Sequence, residues 1–334
     1  MKKIKYIISR LFDMNYKKLF ETIKLVSKKT NKNKVSIFID IIKCTRKYGA
    51  GYTDYYSFGM YDMNEKERET VLTREKNNYY VTKYNPKEYW HLYDNKNEFN
   101  ELFNEHLKRS WIYLKDKSLE DFKAFVKPLD VFVAKPNNDS GGNGIEKIVK
   151  SNFKDEEEIY NYLISKDILL LEELVVQHDD LAKINPSSVN TIRLITILKD
   201  NKLHFITAFI RVGGAGSFVD NSCSGGMLTM IDLETGITKY PACDFEMKEF
   251  ITHPATNMKL EGITIPYFKE SKELLEEISR IEPNIRYTAW DIAITNDGPV
   301  VIEGNPYPGY YYQFPIHCPN KIGILPLFKE IDQE

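Results

Sequence analysis

Three oxygen-bearing side chains near the end of the chain have the spacing of a divalent-cation site. Asp291 lies in one apolar run, Glu303 and Asn305 lie in the next, and turn residues 296–298 separate them. If the turn centres near Asp297, Asp291 and Glu303 are cross-strand neighbours, and Asn305 shares their face. Opposed carboxylates repel, and a hard cation such as Mg²⁺, which also takes phosphate oxygens, removes that repulsion. A surface hairpin with scattered polar residues is the alternative, although the apolar flanks favour a buried one.

A lysine followed by a glycine-rich loop has the chemistry needed to hold phosphates. Lys135 ends the apolar run 131–135, and the loop 136–144 contains three glycines. Glycines let backbone N–H groups converge on an anion, and the lysine supplies a point charge. The loop matches neither the GxxxxGK[ST] nor the GxGxxG pattern, so a flexible surface hairpin is the alternative.

Two adjacent acids interrupt a long apolar run. Glu172 and Glu173 lie within residues 168–177, and buried strands rarely contain adjacent carboxylates without a use. A strand whose backbone hydrogen-bonds an adenine edge would have this pattern, and Asp179 and Asp180 just beyond it could reach ribose hydroxyls. A strand end that emerges into solvent is the alternative.

Two arginines lie in apolar strands. Arg193 and Arg211 are good bidentate partners for phosphate or carboxylate, and each could also pair with a buried acid such as Asp291 or Glu303. The sequence leaves open whether the two arginines share a face, because a one-residue change of register reverses the answer.

The composition is that of an ordinary soluble globular protein. The chain has 334 residues, 42% of them apolar and 28% charged, and its net charge of −2 does not point to nucleic acid. No apolar run approaches the length of a membrane span. The four cysteines lie far apart, which argues against a zinc centre or a small disulfide scaffold and favours a reducing cytoplasm.

The first 34 residues predict a basic amphipathic helix. They contain 11 Lys or Arg against Asp13 and Glu21, and their apolar residues recur at helical spacing, with a break near 13–15. Such a helix can lie on an anionic membrane surface, or it can pack on its own domain with its lysines in water. We place it in an N-terminal, mainly helical unit over residues 1–92.

Hydrophobic periodicity predicts the elements of the rest of the chain. The predicted helices cover 35–48, 99–103, 119–125, 156–165 and 272–281. The predicted strands cover 131–135, 145–149, 168–177, 191–198, 203–211, 227–231 and 236–240, and the closing hairpin follows them.

The order of these groups resembles the ATP-grasp superfamily: a lysine with a Gly-rich loop, a Glu-Glu-Leu segment, strand arginines, then Asp and Glu-x-Asn. A narrower resemblance, to the sugar-transfer-associated branch found with bacterial surface-polysaccharide genes, is carried by residues 48–55, 132–136, 177–178, 185–193, 219–221, 290–294 and 302–305. The resemblance implies an α+β, ATP-grasp fold. Two α+β subdomains, at 93–176 and 177–334, would sandwich ATP, and the N-terminal helical unit would be an addition.

The resemblance also implies roles for single residues. Lys135 and Lys96 would contact ATP phosphates, and Arg193 and Arg211 would face the transferred phosphate and the tetrahedral intermediate. The other nucleotide contacts would come from Ser140, Gly141 and Gly142 over the phosphates, from Glu172, Glu173, Leu174 and Val175 along the adenine, and from Asp179 at the ribose. One or two Mg²⁺ ions would be held by Asp291, Glu303 and Asn305.

The implied activity is that of an ATP- and Mg²⁺-dependent carboxylate–amine ligase, which forms an amide through an acylphosphate. Its substrates would be a sugar acid and an amino acid or amine in cytoplasmic polysaccharide or capsule biosynthesis. A lipid-linked glycan acceptor, with membrane contact through residues 1–34, is one option. A phosphotransferase acting on a glycan hydroxyl and a non-catalytic ATP-binding module of a glycan assembly complex are the alternatives. Because the acceptor region of such ligases varies greatly, the sequence does not identify the two substrates.

Overall fold

The computed structural model describes residues 15–137, 144–216 and 225–333. By internal contacts the chain divides into two compact units. The first comprises residues 1–80 with 310–334, and the second comprises residues 81–309. The predicted boundaries at 92 and 176 stay predictions.

Asparagines set the ends of the first two helices. Asn15 caps helix α1 (Tyr16–Thr30) by accepting a hydrogen bond from the Lys18 N–H at 3.1 Å, and Asn31 ends it with φ 57°. Helix α2 (Lys34–Tyr48) starts three residues after Asn31. The prediction of one helix through residue 34 is therefore wrong, because the chain turns at Asn31. Residues 1–14 of that predicted helix lie outside the described part.

Both helices bury one face. The buried residues of α1 are Leu19, Thr22, Ile23 and Val26, and those of α2 are Ile37, Ile41, Cys44 and Tyr48. This spacing of three and four residues is that of one helix face, so the amphipathic pattern predicted for α1 is confirmed over its described length. The unit also contains the helices Tyr52–Ser57, Glu65–Glu69 and Leu325–Gln333 and the 3₁₀ turn Met60–Asp62; helix Arg74–Tyr84 crosses its boundary.

The second unit contains a four-stranded antiparallel sheet. Its strands are β1 (Trp111–Tyr113), β2 (Val131–Lys135), β3 (Glu146–Val149) and β4 (Leu170–Glu173), in the order β1-β4-β2-β3. The helices Leu119–Val126 and Glu156–Ser165 share an apolar core with this sheet. The side chains of Phe122, Phe132 and Leu163 in that core are fully buried.

A seven-stranded antiparallel sheet forms the rest of the second unit. Its order is β11-β10-β5-β6-β7-β8-β9. The strands are β5 (Ile192–Lys199), β6 (Lys202–Val212), β7 (Met227–Ile231), β8 (Ala242–Cys243), β9 (Glu249–Phe250), β10 (Tyr287–Thr295) and β11 (Gly298–Asn305). Every residue of β10 except Thr295 is buried, because the strand lies between β5 and β11. The other helices of the unit are His91–Asp94, Lys96–Leu102, Asn104–Leu107, Asp179–Ala182 and Phe268–Ile278, with 3₁₀ turns at Lys87–Tyr89 and Lys150–Asn152.

Two predicted strands differ from the observed ones. The run 168–177 forms a strand only over Leu170–Glu173, and the Gln177 side chain donates to the carbonyl oxygens of Asn185 and Ser188. Residues 236–240 pair only through isolated bridges, such as that of Thr238 with Ile231. The predicted helix 272–281 begins and ends earlier, at Phe268–Ile278.

Within the described residues, no helix combines the length and the apolar character that crossing a membrane requires.

Candidate active site

The closing hairpin brings the two predicted carboxylates together. Asp291 on β10 is the cross-strand partner of Glu303 on β11, as predicted. Asn305 pairs with Ala289, two positions from each of these residues, so all three polar side chains lie on one face of the sheet.

The reason for this pairing differs from the predicted one. The turn consists of two residues, 296–297, since Thr295 pairs with Gly298. From such a turn, regular pairing would place Ile302 opposite Asp291. The register instead shifts by one residue after the pair of Ile292 and Val301, and this bulge at Ile302 returns Glu303 to the side of Asp291.

Both predicted arginines share the face of Asp291, which settles the question that the sequence left open. Arg193 is the cross-strand partner of Asp291, and its Nε and Nη2 donate to the two carboxylate oxygens at 2.5 and 2.6 Å. Arg211 lies beside Thr191, and its Nη2 is 2.9 Å from Asp291 Oδ2. Both oxygens of Asp291 are therefore bound by guanidinium groups.

The electrostatics of Asp291 follow from these contacts. Its side chain has no exposed surface. Burial alone would raise the pKa of its carboxyl, but Arg193 and Arg211 outweigh burial and hold the pKa well below its usual range. Asp291 therefore stays ionised and fixes the orientation of both arginines.

Glu303 has a different environment. Removal from bulk water and the adjacent Asp291 carboxylate raise the pKa of the Glu303 carboxyl. Since 40% of the side chain remains exposed, the neighbouring Asp291 charge is the stronger of these two causes. Arg193 Nη2 lies 3.8 Å from Glu303 Oε1, and Asn305 Nδ2 donates to the same oxygen at 3.3 Å.

These side chains fit a hard cation. The donor set is two carboxylates and an amide, all with oxygen donors, and the negative charge of Glu303 is offset less closely than that of Asp291, by Arg193 at 3.8 Å. In the described part of the chain no group of three or more His, Cys, Asp and Glu residues has metal-binding geometry, so the amide of Asn305 is needed to complete a set of three. Asp291 uses three of its roughly four acceptor sites on the two arginines, so it could give an ion about one lone pair, on Oδ1.

A second buried cluster surrounds Lys135. Its Nζ contacts Glu172 Oε2 at 2.6 Å, and the same oxygen accepts from Arg109 Nε at 2.9 Å. Asn100 Nδ2 donates to the other oxygen at 2.9 Å. Burial would raise the pKa of the Glu172 carboxyl, but Arg109 and Lys135 outweigh burial and hold it well below its usual range.

Arg109 connects the two sheets of the second unit. Besides Glu172 on β4, its Nη1 donates to the carbonyl oxygen of Val301 on β11 at 2.6 Å. Its side chain is 3% exposed, so these contacts are made away from water. One guanidinium thus links the carboxylate that holds Lys135 to the strand that carries Glu303.

Sequence reasoning missed Arg109 and Asn100. Arg109 follows Lys108 before the short strand β1, and basic residues at that position are too common to single one out. Asn100 lies inside the helix Lys96–Leu102, where its burial depends on tertiary packing.

The other predicted phosphate contacts are only partly described. Lys96 begins the helix Lys96–Leu102, and its backbone N–H donates to the Asn137 carbonyl, two residues after Lys135. This brings the chain at Lys96 next to the start of the Gly-rich loop. Ser140, Gly141 and Gly142 lie outside the described residues.

The predicted adenine segment and ribose acid also stay predictions. The Glu172 side chain is engaged by cations, and Glu173 Oε2 accepts from the Ser110 N–H at 3.1 Å, so these two residues would offer their backbone to an adenine edge. Asp179 contacts Asn296 at the hairpin turn, at 3.2 and 3.3 Å. Four residues of β10 separate that turn from Asp291, so Asn296 is about 16 Å from Asp291 along the strand.

Comparisons with known proteins identify a family and several structures to which the chain is similar. A family model described as sugar-transfer associated ATP-grasp matches residues 75–333. A comparison with curated proteins found no match. Among solved structures, D-alanyl-alanine synthetase A from Vibrio cholerae O1 biovar eltor is similar at 13% identity and a TM-score of 0.44, over 72% of this chain and 65% of that one. The chain thus spans less than two thirds of the synthetase.

Two further solved structures are similar at comparable levels. D-alanine–D-alanine ligase from Bacillus anthracis complexed with ATP has 14% identity and a TM-score of 0.43, over 72% of this chain and 65% of that one. The ATP-grasp ligase PsnB complexed with minimal precursor, Mg and ADP has 15% identity and a TM-score of 0.44, over 80% and 68%.

Proposed function

This chain belongs to the sugar-transfer-associated ATP-grasp family, and on that premise we propose that it is an ATP-dependent ligase that joins a carboxylate to an amine. The proposal depends chiefly on one observation. Arg193 and Arg211 are held by the buried Asp291 next to Glu303, on one sheet face. Fixed guanidinium groups beside oxygen donors are what a transferred phosphate and its counter-ion require.

The proposed reaction has two balanced steps. A substrate carboxylate oxygen attacks the γ-phosphorus of ATP, and the bond from that phosphorus to the bridging oxygen breaks. The products are an acylphosphate and ADP. The amine nitrogen then attacks the acyl carbon, inorganic phosphate leaves, and the nitrogen loses a proton. The protein needs no covalent nucleophile, because its work is to position the reactants and offset negative charge.

The side chains divide this work between them. Lys135 would contact the nucleotide phosphates, and Arg193 and Arg211 would offset the charge that develops on the transferred phosphate. Glu303 and Asn305, together with Asp291, would hold Mg²⁺. When bound, the ion neutralises phosphate oxygens.

We further propose that the two substrates are a sugar acid and an amino acid or amine, joined during cytoplasmic assembly of a bacterial surface polysaccharide. The family description, which associates these proteins with sugar transfer, supports the glycan context. A lipid-linked acceptor is compatible with the basic α1, which exposes Lys17, Lys24 and Lys28.

The test is a screen for ADP release with Mg-ATP over pairs of uronic-acid donors and amino acids. We expect one pair to release ADP and phosphate and to give a product whose mass is the sum of the substrates less one water. Glu303→Gln is the matched inactive variant.

Two other outcomes would contradict the proposal. A phosphorylated glycan without free phosphate would identify a phosphotransferase acting on a hydroxyl. Mg-ATP binding by calorimetry, without ADP release from any pair, would identify a non-catalytic ATP-binding module.

A further inference from the structure

Helix α2 has apolar residues on two opposite faces. One face, with Ile37 and Ile41, is buried in the first unit. The other face carries a row of four side chains that we name the α2 stripe. Their exposed fractions are 66% for Val35, 40% for Phe38, 47% for Ile39 and 43% for Ile42.

The α2 stripe is continuous. Its members are separated by three, one and three residues, which places them on adjacent turns of one helix face. Single exposed apolar residues are normal on protein surfaces, but a contiguous row of large ones marks a surface that binds another protein or a membrane.

Basic residues border the stripe. Lys34 lies four residues before Phe38, Lys43 four residues after Ile39, and Arg46 four residues after Ile42, so each is one turn from a stripe member. The acid of α2, Asp40, is held by Arg68 at 2.8 and 2.7 Å. The charged residues of α2 beside the stripe are therefore mainly basic, and of these Lys47 is paired, with Glu65 at 3.0 Å and Glu69 at 3.6 Å.

This positive charge belongs to the whole first unit. Residues 1–80 and 310–334 contain 20 Lys or Arg against 12 Asp or Glu, whereas residues 81–309 contain 26 against 36. The nearly neutral chain is thus a basic unit with an exposed apolar row and an acidic unit with the candidate site. An anionic surface would attract the first unit selectively.

We propose that the α2 stripe inserts into the interfacial region of an anionic lipid membrane. Aliphatic residues bordered by lysine and arginine are the composition of a helix that lies in that region. Nucleic acid would offer no apolar phase to cover valine and isoleucine. The basic residues spread over both helices, and a fluid lipid surface can bring anionic headgroups to each of them, whereas a folded acidic partner would need matching fixed positions. This proposal does not depend on the ligase activity.

The test is co-sedimentation of the full chain with vesicles. We expect binding to phosphatidylcholine vesicles that contain phosphatidylglycerol as the minority lipid, weaker binding at high salt, and little binding to phosphatidylcholine alone. Phe38→Ser with Ile42→Ser should lower the partition coefficient about tenfold or more, because two apolar side chains are removed from the lipid. The matched control is Ile164→Ser, since Ile164 is 42% exposed on a helix of the second unit.

Three results would overturn the proposal. The stripe variant could sediment like the unsubstituted chain. Deletion of residues 1–14 could abolish binding while the stripe variant retains it, which would place the contact before α1. Sedimentation velocity without vesicles could show a dimer that the stripe variant dissociates, which would make a second copy the occupant. A thermal melt like that of the unsubstituted chain confirms that the variant is folded.

Discussion

Two carboxylates in the second unit are each buried and each neutralised by two cations, but their neighbours differ. Glu172 is bound by Lys135 and Arg109, and its remaining oxygen accepts from an amide. Asp291 is bound by Arg193 and Arg211, and a second carboxylate, that of Glu303, lies across from it.

The two clusters differ in net charge. Around Glu172, one negative charge faces two positive ones, so Lys135 can turn to an anion while Arg109 keeps Glu172 paired. Around Asp291, the two arginines face two negative charges, and Glu303 is the less well neutralised of the pair. The first cluster is suited to an anionic phosphate and the second to a cation.

The largest expected effect is that of removing the charge at the centre of the second cluster. Asp291→Asn leaves two largely buried guanidinium groups without their carboxylate, so we expect a loss of about 3–5 kcal/mol in unfolding free energy. ADP release should fall about a thousandfold, because Arg193 and Arg211 lose their fixed orientation. Urea unfolding and an ADP-release assay measure the two effects.

The control for Asp291→Asn is Asp232→Asn. Asp232 pairs with the half-exposed Lys239 at 2.9 Å, and its Oδ1 accepts from the backbone N–H groups of Glu234 and Thr235. Asparagine keeps an oxygen for those N–H groups and loses only the surface ion pair, so we expect a cost of about 1 kcal/mol and unchanged turnover. Equal losses of unfolding free energy in the two variants would contradict the prediction that the buried cluster contributes more to stability than the surface pair.

A smaller effect is expected from removing Arg109, which connects the two sheets of the second unit. Arg109→Met leaves Glu172 with Lys135 as its one cation, so Lys135 is held more tightly and less available to phosphate. We expect a loss of about 2–4 kcal/mol in stability and about a tenfold rise in the KM for ATP, with a smaller change in kcat.

A second substitution separates positioning from simple damage. Adding Glu172→Gln to Arg109→Met removes the uncompensated carboxylate, and we expect it to restore part of the stability and most of the KM. A double variant as impaired as the single one would show that Arg109 acts only through packing. Arg280→Met is the surface control, since Arg280 pairs with Glu276 at 2.9 Å and is 36% exposed.

The smallest stability effect, and one of opposite sign, is expected at Glu303. Its raised pKa means that its contribution to stability is fully present below the ordinary glutamate pKa, near 4.3, and is lost as pH rises through the folded-state value. Glu303→Gln should therefore gain stability relative to the unsubstituted chain as pH rises to neutrality. The gain is at most about 1 kcal/mol, because 40% of the side chain is exposed and water screens it.

Glu172 and Asp291 have the opposite pH dependence. Their lowered pKa values give stability that is present above the ordinary carboxyl range and lost in acid. For each variant, thermal melts give the difference in melting temperature from the unsubstituted chain. As pH rises, this difference should become more favourable for Glu303→Gln and less favourable for Asp291→Asn. Parallel profiles would contradict the assignment of unlike environments to two adjacent carboxylates.

Local sequence rules were enough for part of this site. Strand alternation and turn residues placed Asp291 beside Glu303, although the turn lies elsewhere than expected. The common face of Arg193 and Arg211 was not predictable, because it depends on the pairing of β5 with β6, where the register shifts after Ile195. Arg109 was not predictable either, since its partners lie 63 and 192 residues away.

The bulge at Ile302 gives β11 one residue more than regular pairing needs. Regular pairing of the full strand from the same turn would place Glu303 opposite Trp290, whose side chain is fully buried in the core. Loss of the single codon for residue 302 would remove the bulge, and regular pairing would then bring Glu303 opposite Asp291 and Asn305 opposite Ala289. This in-frame deletion would therefore be a milder genetic lesion than a missense change at Asp291 or Glu303.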